Sequence, residues 1–167
     1  MFKFKCKSCG EIHEGMPTFG FPFPIQYLDI PETERESRVS LGTDACVIDE
    51  EWFFVRGCIE IPVEGSEDPF IWGAWVSLSE SSFQLFRQYL GEDQRSHIGP
   101  FPGWLCSDMK VYPQTCVNLK TSVHLRDHAT RPYIELEPTD HPLAVEQRHG
   151  MTAERVAEIY AEMIHGG

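Results

Sequence analysis

The sequence has no apolar run approaching the roughly 20 residues that a membrane-spanning helix requires. Its opening stretch, MFKFKCKSCG, also lacks the apolar segment of a secretory signal. No membrane insertion and a cytoplasmic location are the expectations that follow. Positive charge is scarce: 14 Lys and Arg stand against 26 Asp and Glu, a formal net charge of -12. Such a chain repels a phosphate backbone unless a local basic patch overcomes the field. The densest basic run, Lys3, Lys5 and Lys7, alternates with Phe2, Phe4 and Cys6 as the wet face of a strand would. Nucleic acid is therefore not an expected partner, whereas a protein with a basic surface is. No Gly-x-Ser-x-Gly elbow, phosphate-cradling glycine loop or dinucleotide fingerprint is present, nor any internal repeat or low-complexity tract.

What is there is a chain of 167 residues, 41% hydrophobic and 12% aromatic, enough for one ordinary core. Six cysteines in a reducing compartment are thiols or metal ligands rather than disulfides. Bridges Cys46 to Cys58 and Cys106 to Cys116 are the less favoured alternative. Cys6-Lys-Ser-Cys9-Gly10 has the spacing of a zinc knuckle, in which two thiolates on a tight turn reach one tetrahedral ion at about 2.3 Å. The remaining ligands are expected from His13, close behind Cys9, and from Cys46, Cys58 or a distant histidine. An empty, reduced pair capping a hairpin is the plainer alternative.

Residues 16–31 carry four prolines and three phenylalanines, which exclude a regular helix or a central strand. ETERESRVS after Pro31 suits a short solvated helix. Three β-like runs follow, Asp44–Asp49, Trp52–Val63 and Phe70–Ser79, split by acidic or Gly/Pro turns. In the third, Trp72, Ala74, Val76 and Leu78 alternate with Ile71, Gly73, Trp75 and Ser77, so both faces carry apolar residues and the sheet is covered at least partly on both sides. Ser79 is placed to cap a helix through Leu90, with Phe83, Phe86 and Leu90 at helical spacing. Segments 103–106 and 115–126, then Tyr133–Glu137, suit further strands. Thr139 or Asp140 can cap a helix PLAVEQRH ending at Gly150, and Thr152 opens a terminal helix with Val156, Ile159, Tyr160 and Met163 on one stripe. Glu146, Glu154, Glu158 and Glu162 on this last pair argue against a DNA-binding helix-turn-helix.

The blocks CKSCGEIHEG, TDACVID, RGCIEIPV, WGAWVSLS, GWLC, NLKTSVHLR and RPYIELEPTDHPLAVEQRHG resemble, in this order, an uncharacterised bacterial family, domain-of-unknown-function family 2199. The resemblance implies a small bacterial single-domain protein and no mechanism. It places Cys6, Cys9, His13 and Cys46 inside family blocks, which favours them as the metal set.

The segment 118–150 concentrates titratable groups. His124 and His128 have the i, i+4 spacing of some zinc enzymes, but that spacing serves only on a helix and this stretch reads as a strand. Asp140-His141 suits an acid/base dyad or, more simply, a helix start. Arg126 and Arg131 suit either an ion-pair network with Glu135, Glu137 and Glu146 or the grip of an anion. Trp72, Trp75 and Trp104 are expected in the core.

The expectation is one α+β domain over 1–167: a zinc-knuckle hairpin at 1–15, then a body at 16–167 built as a central, mainly antiparallel sheet with helices at 79–90 and 152–165 packed on it. Two function classes fit. One is a zinc-stabilised acidic binding or adaptor module. The other is a small hydrolase-like or ligand-binding enzyme built on His124, Arg126, Asp140 and His141.

Overall fold

Residues 1–166 are described by the structure, a computed structural model. The chain opens with β1 (Lys3–Lys5) and β2 (Ile12–Glu14), an antiparallel hairpin that forms its own two-stranded sheet. The proline-rich stretch contributes only a short strand, β3 (Thr18–Gly20), and a 3-10 turn over Ile25–Asp29, as proline's fixed φ and missing N–H dictate. The charged run after Pro31 shrinks to a 3-10 turn and α1 (Arg35–Arg38). There follow β4 (Val39–Leu41), β5 (Ala45–Ile48), β6 (Trp52–Ile61), β7 (Phe70–Leu78) and α2 (Glu80–Tyr89). The remainder is β8 (Phe101–Leu105), β9 (Lys120–His124), β10 (Tyr133–Leu136), α3 (Pro142–His149) and α4 (Ala153–His165).

The expected central, mainly antiparallel sheet is present in part, and its middle is a closed barrel. Strands β6 to β10 pair in succession, and β10 returns to β6, so these five close on themselves. The two long strands make this arrangement work. One edge of β6 is shared, β5 taking Trp52 to Val55 and β10 taking Cys58. One edge of β7 is likewise divided between β3 at Ile71–Gly73 and β8 at Val76–Ser77. The closing pair, β10 on β6, is parallel, while the other four contacts around the barrel are antiparallel.

Alternation then sorts the side chains. Val55, Ile59, Ile61, Trp72, Ala74, Val76, Leu105, Val123 and Ile134 belong to the main core. On the outer side of β6 and β7, Phe54 and Trp75 join Ile30, Cys46, Ile48 and Cys106 in a second, smaller core. Coverage on both sides of these strands is thus present. The Ser79 hydroxyl accepts from Ser82 N–H at 3.2 Å and starts α2, whose Phe83 and Phe86 are buried. Leu90, expected with them, is the exposed C-cap residue. Thr152 caps α4, which buries Val156, Ala157, Ile159 and Ala161 and leaves Met163 exposed. Among the described residues no helix is long and apolar enough to cross a membrane.

Candidate functional site

The N-terminal hairpin brings three ligand atoms together. The thiols of Cys6 and Cys9 and a ring nitrogen of His13 all lie within 4.8 Å of one another, a group that could hold a metal ion. Cys6 N–H bonds Glu11 O at 2.8 Å and Gly10 N–H bonds Cys6 O at 3.0 Å, with Gly10 at φ 74, so the turn folds back over the sulfurs. His13 pairs with Phe4 across the hairpin, and its ring sits 4.7 Å from Tyr160 of α4. Backbone N–H groups of Cys9 and then Ser8 hold the Cys6 thiol below its ordinary pKa, the direction a thiolate ligand needs. Cys46, expected as the fourth ligand, is not in this group. It lies fully buried in β5 within the second core, where burial pushes its thiol up to about 11. Its partners there are apolar because the Cys46 face of β5 continues Phe54 of β6. All six cysteines are free.

The residues expected to carry catalysis are divided between two neighbourhoods. His124 and Arg126 stand on and just beyond β9, on the outside of the barrel. His124 Nε2 is 3.0 Å from Glu135, and Arg126 bonds Glu60 at 2.6 Å and Arg131 O at 2.7 Å. Arg126 is therefore paired with Glu60, and Arg131 faces Asp44 at 3.6 Å; among the described residues neither arginine meets Glu135, Glu137 or Glu146, which were expected as their network partners, because Glu135 faces His124 and Glu146 faces Arg155. His141 is the N-cap of α3: its Nδ1 accepts from Leu143 N–H at 3.1 Å, which leaves the proton on Nε2, 3.0 Å from Thr115 O. Thr139 supports it by accepting from His141 N–H at 3.2 Å. Asp140, expected as a cap or as half of a dyad, is exposed and takes part in no side-chain hydrogen bond among the described residues. Glu146 bonds Arg155 at 2.9 Å rather than either of them.

A groove of about 790 Å³ on the barrel was not legible in the sequence. All five barrel strands contribute to it, and Trp52, Trp104, Lys120, Ser122, Glu135 and Glu137 are among its lining. Ser77, Trp104 and Lys120 lie in one row across β7, β8 and β9, with the Lys120 ammonium 5.6 Å from the Trp104 ring. Trp104 is 47% exposed and Trp52 57%, whereas Trp72 and Trp75 are fully buried. The core assignment of Trp104 is thereby corrected. Its parity was the available signal: in FPGWL, Phe101, Gly103 and Leu105 point inward, so Pro102 and Trp104 must point out.

Residues 5–151 match a family described as "Uncharacterized protein conserved in bacteria (DUF2199)". The chain belongs to this family. Neither a curated protein nor a solved structure matches it. The family match takes in the three-residue cluster, every barrel strand and α3, and it ends at Met151, where the chain bridges to Val63 before α4 begins.

Within that span a buried guanidinium was also missed by sequence reasoning. Arg95, 3% exposed, sits in the loop between α2 and β8. It donates to the carbonyls of Leu90, Arg126 and Thr130 at 2.7, 2.8 and 2.9 Å. Asp127 clasps the same loop, accepting from Arg95 N–H at 2.7 Å and Ser96 N–H at 2.8 Å. The pair fixes the path from α2 to β8 against the end of β9.

Proposed function

We propose that the protein is a zinc-stabilised acidic binding module of the bacterial cytoplasm whose barrel groove takes a Lys- or Arg-rich segment of a partner protein. The observation that carries this reading is the groove itself, where Trp52 and Trp104 leave large aromatic surfaces in solvent beside Glu135 and Glu137. An exposed indole attracts a guanidinium or ammonium by about 0.5–1 kcal/mol, and more once water is excluded; the Lys120 ammonium already lies 5.6 Å from the Trp104 ring, so a partner's cation replaces it there or takes the Trp52 ring. Carboxylates beside it supply charge-assisted hydrogen bonds, and Glu51 and Glu80 adjoin the lining residues Trp52 and Ser79 in the chain. The net charge of -12 steers a basic partner inward. Thiolate and imidazole donors from Cys6, Cys9 and His13 suit zinc over harder ions. An enzymatic reading has weaker support, since His124, Arg126 and His141 are each held by bonds that serve the fold.

Titrating the protein with an arginine-rich peptide, followed by tryptophan fluorescence, tests the proposal. Saturable binding is expected, weakened about fivefold, or ~1 kcal/mol, by Trp104→Ala, weakened also by Glu137→Gln, and reduced by salt. Equal affinity for wild type and a Trp104→Ala/Glu137→Gln double variant would overturn it.

A further inference from the structure

A tetrahedral ion held by three side chains is one ligand short. Cys6, Cys9 and His13 form the cluster, and no fourth His, Cys, Asp or Glu joins them among the described residues. Cys46 is committed to the second core. Cys9 is exposed and His13 half-buried, so water reaches the centre. Closed structural sites use four protein donors, whereas sites that exchange a ligand keep one position open.

The surroundings favour a particular class of ligand. Between the hairpin and α4 runs a cleft of about 580 Å³ whose charged lining is Lys3, Lys5, Lys7 and Glu154, and Cys6 of the cluster forms part of its wall. Lys3 is paired with Glu14 at 3.2 Å and Lys7 with Glu154 at 2.7 Å. Lys5 makes no ion pair among the described residues. Two thiolates and a neutral imidazole cancel the charge of a divalent ion, so an incoming anion meets no net charge on the liganded metal itself; Glu11, close to Cys6, opposes it, and Lys5 attracts it.

From this arrangement we infer that the metal centre keeps its fourth coordination position for a small anion from outside the chain, drawn in past Lys5. The inference rests on the metal reading of the preceding section, and the two fail in different ways. The experiment uses full-length protein reloaded with Co²⁺ and titrated with azide while the visible cobalt bands are followed. Metal uptake with thiolate-to-cobalt absorption, then a saturable change at one azide per cobalt, is the expected result. Lys5→Gln should weaken azide severalfold while leaving cobalt uptake and the response to neutral imidazole as in wild type. A cobalt spectrum indifferent to azide, azide that strips the metal, or azide binding unaffected by Lys5→Gln would overturn the inference while sparing the metal reading. A protein that takes up no cobalt would overturn both.

Discussion

His141 shows how one side chain can be assigned two chemistries until its partners are known. Thr139, Asp140 and His141 are all placed to start α3, and local pattern favours the commoner cap types, Thr and Asp. The choice falls to His141 because Thr115, distant in sequence, offers a carbonyl to its Nε2 while Nδ1 accepts from Leu143. Where no remote partner intervenes, as at Ser79 and Thr152, the cap is the one the sequence indicates. His141→Ala should therefore cost about 1 kcal/mol, and Asp140→Ala should stay within ~0.5 kcal/mol of wild type. His141→Asn should fall between them, keeping the cap and losing the bond to Thr115. Melting midpoints of the three variants check this, and an Asp140→Ala loss as large as that of His141→Ala would contradict it. Asp127 gives a pH signature. Backbone N–H groups of Ser96 and Arg95 hold its carboxyl below the usual range. A carboxylate whose folded pKa is depressed adds stability that is complete above its unfolded value, about 4, and that is lost as pH falls through the folded value. The melting difference between wild type and Asp127→Asn should thus be largest at neutral pH and vanish in acid; a difference constant with pH would rule this out.

Among elements, the strands were legible and their closure was not. Period-two alternation lies within each segment, so β5, β6, β7 and β10 appear at nearly their observed bounds. Closure depends on a contact between distant segments, and two residues enable it. At the seam, Cys58 N–H bonds Pro132 O at 2.8 Å, and a Cβ on Gly57 would lie 2.8 Å from that carbonyl oxygen and 2.9 Å from Ile134 Cγ1. Only glycine lets β10 come so near. Beyond the seam β10 turns to α3, where the Gln147 side chain stands in for a strand: its Oε1 accepts from Leu136 N–H at 2.8 Å and its Nε2 donates to Ile134 O at 2.9 Å. Gln147→Leu leaves both backbone groups without these partners. It should destabilise the protein by about 2 kcal/mol, a fall of roughly 4–8 °C in midpoint for a chain of this size. Gln147→Glu, which keeps the acceptor, should lose less. An unchanged midpoint for Gln147→Leu would show that the barrel does not depend on this bridge.

For the whole molecule, the hairpin and the barrel are joined through α4. Phe4 meets Tyr160 at 5.1 Å and Lys7 meets Glu154 at 2.7 Å, so an ion at Cys6, Cys9 and His13 would stiffen a hairpin too small to hold itself together. Freshly purified protein should carry one zinc per chain by elemental analysis, and Cys6→Ser should lose the metal and melt lower. Zinc-free fresh protein together with an unchanged midpoint for Cys6→Ser would remove the metal from the account. The cluster of Cys6, Cys9 and His13 was readable because its members are close in sequence; the groove was not, because five strands build it and one of its tryptophans, Trp104, looks like a core residue until the parity of β8 turns it outward. Those tryptophans also allow the most direct test of the binding proposal. Trp72 and Trp75 have buried indole N–H groups bonded to Tyr112 Oη and Phe21 O, while Trp52 and Trp104 face the groove. In nitrogen–proton correlation spectra recorded while an arginine-rich peptide is added, the four indole signals report separately. The account predicts that the Trp52 and Trp104 signals move together and saturate while those of Trp72 and Trp75 stay in place; peptide binding that leaves the two groove signals unmoved would contradict it.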